Sequence, residues 1–372
     1  MRLVIDATNI SAGGGLTHLR QIISHYDSSN DDFSELAVIA SRNTLSKLPD
    51  NTNFVKISHP WLNSNIIKRQ LWYSFKMKKI LKEKESILFN PGGGYTGSFR
   101  PYVTMCRNML VFDTDEQKKY GWSLARFRYI LLNVKQKMSF RNAKGMIYLS
   151  DYAKETVERL INYPQRKVVK INHGVSPIFN NLPKDQAEVS NYNSKNPFKF
   201  IYVSTLNYYK NQTYLIKAFN ILEERNIPVT LSLVGGYPSE EIKNEILSDV
   251  GQNVNYIGSI PYENLPEVYN SHDAVIYASS CENMPNILIE SMATGLPIMC
   301  SNEQPMPEFL KNGGLYFDPR DVHEIVEKII LFINDKNLRV KNSLISYNLS
   351  KEFSWQKCAD ETFDFISSCT KN

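Results

Sequence analysis

The sequence has 372 residues, which exceeds the usual size of one α/β domain and predicts two domains. Hydrophobic residues make up 42% of the chain and charged residues 22%, so the composition excludes a disordered or collagen-like protein. The net charge of +5 is unevenly placed: residues 51–150 carry 18 Lys and Arg against 5 Asp and Glu, whereas residues 181–372 carry 16 against 24. A basic first half suits an anionic partner such as a membrane surface or a phosphorylated substrate.

The expected cellular compartment follows from the N-terminal sequence, the apolar runs and the cysteines. The first residues, MRLVIDATNISAGGG, lack the apolar stretch of a signal peptide, and no apolar run approaches the roughly 18 to 20 residues that span a bilayer. The five cysteines show no C-x-x-C spacing and indicate neither a zinc site nor a disulfide framework. We therefore expect a cytoplasmic protein. No nucleic-acid-binding motif accompanies the basic charge, so nucleic acid is not an expected partner.

Short apolar runs alternate with amphipathic stretches from the start of the chain. In the first half, strands are predicted at 2–6, 35–40, 86–90, 102–106, 145–150 and 167–171, with a helix at 16–26. This rhythm predicts a parallel sheet covered by helices.

A polar, irregular stretch at 180–197 has the composition of a linker. Beyond it, a second series of strands is predicted at 198–204, 229–235, 254–258, 273–278 and 297–301. The sequence therefore predicts an α/β protein with a first domain over 1–180 and a second over 181–352. A final helix over about 353–372 has one apolar face and is expected to pack back on the first domain.

The stretch YASSCENMPNILIESMATGLPI (277–298) passes from a strand to a helix that begins near Pro285 or Asn286. Such a junction lies at the carboxyl end of a strand, where open α/β sheets bind anionic ligands. Glu282 and Glu290 are eight residues apart and can frame one pocket. A buried carboxylate needs hydrogen-bond donors, and the neighbouring hydroxyls of a sugar supply them.

The pair E-x7-E followed by S-M-A-T-G-L-P resembles the signature of the retaining glycosyltransferases of family four. The resemblance implies the GT-B fold, in which two Rossmann-like domains face each other across a cleft. It also implies that Glu282 and the donor-binding residues Asn283, Met284, Pro285 and Asn286 hold the donor sugar. Glu290 then takes the hydroxyls of the ribose. The Glu-Asn-Met-Pro sequence here replaces the family's frequent Glu-Gly-Phe-Gly and leaves the donor sugar open.

A second segment, YVSTLNYYKNQTYLIKAF (202–219), resembles the family's V-G-R-L-x-x-x-K-G pattern. Lys210 matches the lysine that binds the donor diphosphate, and a fixed ammonium would stabilise the leaving group without a metal ion or other cofactor. Thr205 stands at the position of the family's arginine and is a predicted contact of the donor. Arg107 or another basic residue of the first half could replace that arginine.

Two further groups of candidate site residues lie in the first half of the chain. Gly14 and Gly15 follow the first strand, and the resemblance implies that they contact the donor phosphates across the cleft. The family's histidine near the donor sugar is replaced around PYVTMCRNMLVFD (101–113), where Asn108 could hydrogen-bond the sugar and Asp113 could approach the acceptor. Three histidines are the other candidates for that role: His18, His59 and His173.

The segments 61–72 and 122–132 of the basic half mix aromatic, aliphatic and cationic residues and could rest on a membrane, although core helices with cationic outer faces give the same pattern. By family analogy, the acceptor would be a glycan or a polyprenyl-diphosphate-linked sugar in O-antigen, capsule or lipopolysaccharide synthesis. We expect a cytoplasmic transferase, peripheral on the inner face of the plasma membrane. Two alternatives stay open: a sugar-nucleotide epimerase of the same fold, and an inactive protein that only binds nucleotide sugars.

Overall fold

A computed structural model of the chain describes residues 1–27, 33–50, 54–64, 66–162 and 166–370. Asn65, in the first of the two membrane-candidate segments, and residues 371–372 of the predicted final helix lie outside the described residues. Within the described residues, no helix is both long and apolar enough to cross a bilayer.

The first sheet is parallel throughout and follows the order β3-β2-β1-β4-β5-β6-β7. Its strands are β1 (Arg2–Asp6), β2 (Glu35–Ile39), β3 (Val55–Ile57), β4 (Ser86–Asn90), β5 (Tyr102–Met105), β6 (Gly145–Tyr148) and β7 (Lys167–Lys170). Every residue of β1 and β4 is buried, as is typical of parallel strands covered on both faces.

The second sheet is also parallel and follows the order β10-β9-β8-β11-β12-β13. Its strands are β8 (Phe198–Val203), β9 (Val229–Val234), β10 (Val254–Gly258), β11 (Ala274–Tyr277), β12 (Ile298–Ser301) and β13 (Gly314–Phe317). The predicted α/β class with two parallel sheets is therefore confirmed.

Helices connect the strands along the whole chain. They are α1 (Gly13–Ser24), α2 (Arg42–Leu45), α3 (Ile66–Phe75), α4 (Met77–Lys82), α5 (Thr114–Lys118), α6 (Leu124–Arg141), α7 (Asp151–Ile161), α8 (Gln212–Glu224), α9 (Glu240–Ile246), α10 (Leu265–Asn270), α11 (Asn286–Ala293), α12 (Met306–Leu310), α13 (Val322–Asn334), α14 (Lys336–Ser350) and α15 (Trp355–Ser368). Helix α1 begins three residues earlier than the sequence pattern indicates, so Gly14 and Gly15 lie in its first turn and not in a preceding loop.

The chain divides into two compact units. The first comprises Met1–Phe112, Trp122–Gly174 and Ser354–Asn372, and the second comprises Asp113–Gly121 and Val175–Phe353. The final helix α15 therefore groups with the first unit. The short segment around α5, which we assigned to the first domain, groups with the second because its side chains bond there: Tyr120 Oη donates to Asn207 Oδ1 over 2.6 Å.

The core of the first unit contains part of the first membrane-candidate segment. Leu62 and Trp72 are buried, and both join the apolar cluster that packs α3 and α4 against β1, β2 and β4. These side chains belong to the core and cannot contact a lipid surface. The second segment, by contrast, is largely exposed.

Candidate functional site

The second sheet changes its direction of growth between β8 and β11. From β8 the chain adds β9 and β10 on one side, whereas β11 is followed by β12 and β13 on the other. At such a switch point the loops after the two central strands separate and form the ligand crevice of an open α/β sheet. Lys210 follows β8 and Glu282 follows β11, so the two predicted residues belong to the two loops that define this point.

Lys210 and Glu282, which are 72 positions apart in sequence, form an ion pair between Nζ and Oε1. Their side chains are only 9% and 15% exposed. The hydroxyl of Tyr277, the last residue of β11, donates to the same carboxylate oxygen over 2.8 Å. Burial alone would lower the pKa of Lys210, but the charge of Glu282 and its hydrogen bond outweigh burial and raise that pKa.

Hydrogen bonds from two side chains fix the backbone around Lys210. Tyr202 Oη donates to the Lys210 carbonyl over 3.0 Å. Asn211 stands where the resembling pattern has glycine, and it adopts the left-handed conformation, with φ of 56°. Its side chain donates to the Ala278 carbonyl over 2.8 Å and so ties this loop to the end of β11. The ammonium is therefore placed by a fixed turn.

Glu290 lies in α11 and accepts a hydrogen bond of 2.7 Å from Tyr262 Oη. Burial raises the pKa of its carboxyl group to about 7, and the Tyr262 hydrogen bond opposes that rise only in part. Asn283, Met284 and Pro285 are buried between Glu282 and this helix. The predicted donor residues thus form one continuous segment that ends in the first turn of α11.

Thr205, at the position of the family's arginine, is exposed at the end of β8. Its carbonyl accepts a hydrogen bond of 3.1 Å from Gln212 Nε2, which fixes the loop to the start of α8. The hydroxyl of Thr205 carries no charge and cannot supply the attraction for phosphate that an arginine would.

Three predicted donor contacts lie in the first unit: Gly14 and Gly15 in α1, and Asn108 after β5. Gly15 leaves little room beside Arg107, because a Cβ added to Gly15 would lie 3.3 Å from Arg107 Nη1. Burial lowers the pKa of Arg107 to about 10. The Asn108 carboxamide oxygen accepts from the Leu110 backbone N–H over 3.0 Å and caps a short turn, as Asp113 caps α5.

The three candidate histidines make stacking or capping contacts within the first unit. His18 and His173 are buried and stack with ring centroids 4.6 Å apart, and His173 stacks in turn on Trp355 of α15. Burial, followed by His173 and Arg107, holds the pKa of His18 well below its ordinary value. His59 caps a turn by accepting from the Trp61 backbone N–H over 3.2 Å. Among the described residues, no group of three or more His, Cys, Asp or Glu is placed to hold a metal ion.

The sequence reasoning missed a buried acid next to the site. Glu116 of α5 is 3% exposed, accepts a hydrogen bond of 2.8 Å from Ser280 Oγ, and pairs with Arg320 and Lys119 at 2.9 and 2.7 Å. Ser280 also donates its backbone N–H to the Tyr209 carbonyl over 2.8 Å. Glu116 thus supports both loops of the Lys210–Glu282 pair. No local motif marks it, because α5 is inserted from a distant part of the chain.

These features define the second unit as a Rossmann-like domain with a polar site at its switch point. Residues 184–348, which contain that site, match the family model for glycosyl transferases group 1. The match covers less than half of the chain and is consistent with the predicted family. Over 247 residues the chain is 27% identical to the O-antigen chain mannosyltransferase B of Escherichia coli, and the match covers 64% of each protein. The chain thus spans less than two thirds of that relative.

Two more similarities extend the comparison. Over 273 residues the chain is 24% identical to the capsular polysaccharide biosynthesis glycosyltransferase CapM of Staphylococcus aureus, with coverage of 69% of this chain and 70% of the relative. The crystal structure of Anabaena HepE in complex with UDP and glucose superposes with a TM-score of 0.71 at 17% identity, and the match covers 99% of this chain and 100% of HepE. This structural likeness confirms the GT-B fold.

Proposed function

We propose that the chain is a retaining glycosyltransferase of family four that moves a sugar from a nucleoside-diphosphate donor to a glycan or lipid-linked acceptor. One observation carries the proposal: an ion pair of a lysine and a glutamate lies at the switch point of the second sheet. A ligand crevice is expected at that point, and the same residues fall within the group 1 match.

Lys210 would bind the donor diphosphate. An ammonium has three N–H donors, so Lys210 can stay bonded to Glu282 and still donate to phosphate oxygens. As the bond to the sugar breaks, negative charge grows on the leaving diphosphate, and a positive charge already held in place stabilises it most. The first N–H groups of α11 would add to this effect. Under this proposal the donor is bound without a metal ion or other cofactor.

Glu282 would hold the hydroxyls of the donor sugar, and Glu290 the hydroxyls of the ribose. Both roles use a carboxylate as a hydrogen-bond acceptor, not as an acid or base. Because Tyr277 and Lys210 fix one Glu282 oxygen, the other oxygen is oriented for a ligand. Asn108, Gly14 and Gly15 stay predicted contacts of the donor, contributed by the first unit.

With no nucleophile among these residues, we propose front-side attack, in which the acceptor hydroxyl enters on the face that the diphosphate leaves. Positioning of the two substrates then supplies most of the rate enhancement. The names of two relatives, an O-antigen mannosyltransferase and a capsular polysaccharide glycosyltransferase, support a role in bacterial surface polysaccharide synthesis. We propose a cytoplasmic enzyme on the inner face of the plasma membrane.

The test is a transfer assay with a panel of UDP-, GDP- and ADP-sugars and a lipid extract as the source of acceptor. We expect one donor to yield a product whose new linkage keeps the anomeric configuration of the donor, as NMR of the purified product would show. Glu282→Gln should lower the transfer rate by about 100-fold or more. The exposed Glu263→Gln serves as the matched control and should leave it unchanged. An inverted linkage, or epimerised donor in the absence of acceptor, would contradict the proposal.

A further inference from the structure

The buried residues of helix α6 in the first unit are Gln136, Ser139 and Phe140, so two of the three are polar. Asn133 also donates to the Val111 carbonyl, over 2.8 Å. The outer face of this helix is apolar. Four side chains on that face are more than half exposed: Phe127, Leu131, Val134 and Met138. A helix that packs polar groups inward and leaves aliphatic groups in water has an outer face suited to an apolar environment.

The outer residues form one continuous stripe. Phe127, Leu131, Val134 and Met138 follow a spacing of four, three and four, which keeps them on one side of a helix that turns about 100° per residue. Ile130 and Leu124 extend the stripe and are 49% and 89% exposed. The 18 residues of the helix span about 27 Å, and the stripe from Leu124 to Met138 covers about 21 Å of that length.

Cations border the stripe on both sides. At about 100° per residue, Arg126 and Lys137 fall on one side of it and Arg128 on the other, whereas the Lys135 side chain turns inward beside Gly94. Residues 122–141 contain five Lys and Arg and no Asp or Glu. The chain just before the helix adds Trp122, which is fully exposed, with the Arg126 guanidinium 5.2 Å from its ring centroid. Tryptophan beside arginine is typical of segments at a membrane–water boundary.

A second exposed group lies on the same face of the first sheet. The connections from β3 to β4 and from β5 to β6 cross the sheet in the same direction, so the right-handed rule places α3, α4 and α6 on one face. Tyr102 supports this placement, because it packs in the core cluster under α3 and α4 and donates to the Ser139 carbonyl of α6. On α3 and α4, a shallow cavity is lined by the exposed Phe75, by three lysines and by one acid, Lys78, Lys79, Lys82 and Glu83.

We propose that the outer face of α6 docks on an anionic lipid bilayer, with its apolar stripe in the interface and its flanking cations at the phosphate groups. The helix would lie in the plane of the surface, since no described helix can cross it. The long aliphatic stems of Arg and Lys let the charges reach the headgroups while the stripe enters the acyl region. This deepens the peripheral location in the proposed function, but it does not depend on the transfer chemistry.

The charges favour a lipid over a second copy of the chain. In a two-fold symmetric dimer the same patch would face itself, and cations without intervening acids would repel. A bilayer with anionic headgroups instead offers uniform negative charge around an apolar interior.

Flotation of the full chain with vesicles tests the proposal. Vesicles of phosphatidylcholine alone should carry little protein, and vesicles that also contain phosphatidylglycerol should carry most of it at low salt. The triple variant Phe127→Ser, Leu131→Ser, Val134→Ser should bind at least tenfold more weakly. The matched control is Leu331→Ser, Leu344→Ser, which alters two aliphatic residues of the second unit that are each 48% exposed, and it should bind like the parent. Thermal unfolding of each variant shows that it is folded.

Equal binding of the triple variant and the parent, or no binding to anionic vesicles, would overturn the proposal. If sedimentation shows that the parent is a dimer and the triple variant a monomer, the stripe contacts a second copy of the chain. That result would also overturn the proposal. Vesicle binding without sugar transfer would leave the docking surface standing and refute the proposed function. Transfer to a soluble acceptor without vesicle binding would support the proposed function and refute the docking surface.

Discussion

The ion pair between Lys210 and Glu282 is predicted to contribute strongly to the stability of the second unit. Both side chains are more than four fifths buried. Removing one member of such a pair leaves the other charge poorly compensated and typically costs about 3 to 5 kcal/mol of unfolding free energy. We therefore expect Lys210→Met to lower that free energy by about 3 kcal/mol. Glu282→Gln, which can keep the hydrogen bonds from Tyr277 and Lys210, should lower it by less.

Chemical denaturation of the two single variants and the double variant measures the coupling. The double variant should be less destabilised than the sum of the singles by about 1 to 3 kcal/mol, because the second change removes a charge that the first left unpaired. The exposed pair Lys243 and Glu240 is the control, with an expected coupling below about 0.5 kcal/mol. Additive effects at Lys210 and Glu282 would refute the reasoning.

Three more predictions follow from buried ionisable groups. Because the pKa of Glu290 is about 7, its carboxylate fraction rises about tenfold from pH 6 to pH 8, so calorimetry should show nucleoside diphosphate binding about tenfold more tightly at pH 8. Glu290→Gln, titrated with the same ligand, should lose that change. The pKa of His18 is depressed in the folded chain, so below about pH 6.5 the unfolded chain binds a proton that the folded chain does not. Stability should fall there by up to about 1.4 kcal/mol per pH unit, and a parallel slope in His18→Gln would contradict this. Glu116→Gln should cost about 2 kcal/mol, whereas Glu303→Gln, which bonds the same Arg320 at the surface, should cost under about 1 kcal/mol in denaturant titrations.

The α/β class and most of the strands could be predicted from the sequence, because buried parallel strands are short apolar runs whose signal is local. The sequence predicts that Lys210 and Glu282 belong to the same site, but it does not predict that they form an ion pair. The motifs placed both residues in loops after strands, but their contact depends on β8 and β11 being neighbours, and strand order is a long-range property of the fold. The left-handed conformation of Asn211, by contrast, suits its type, because asparagine adopts positive φ more readily than most residues.

Other features had no local signal. Glu116 supports the site from a segment almost 100 residues before Lys210, and only the tertiary fold brings the two parts together. The segments 61–72 and 122–132 look alike in composition, yet Trp72 is in the core and Trp122 is in solvent. Composition alone cannot separate these outcomes, because a helix with an apolar face gives the same pattern whichever side that face packs on.

The donor site is tested by calorimetric titration of UDP, GDP and ADP into the parent protein and into Lys210→Met. We expect at least one nucleoside diphosphate to bind the parent with one site per chain. Lys210→Met, while still folded, should bind that ligand at least tenfold more weakly, since its ammonium contact with the diphosphate is gone. Failure of all three to bind the parent, or equal affinity for the variant, would contradict the assignment of the donor site to the switch point of the second sheet.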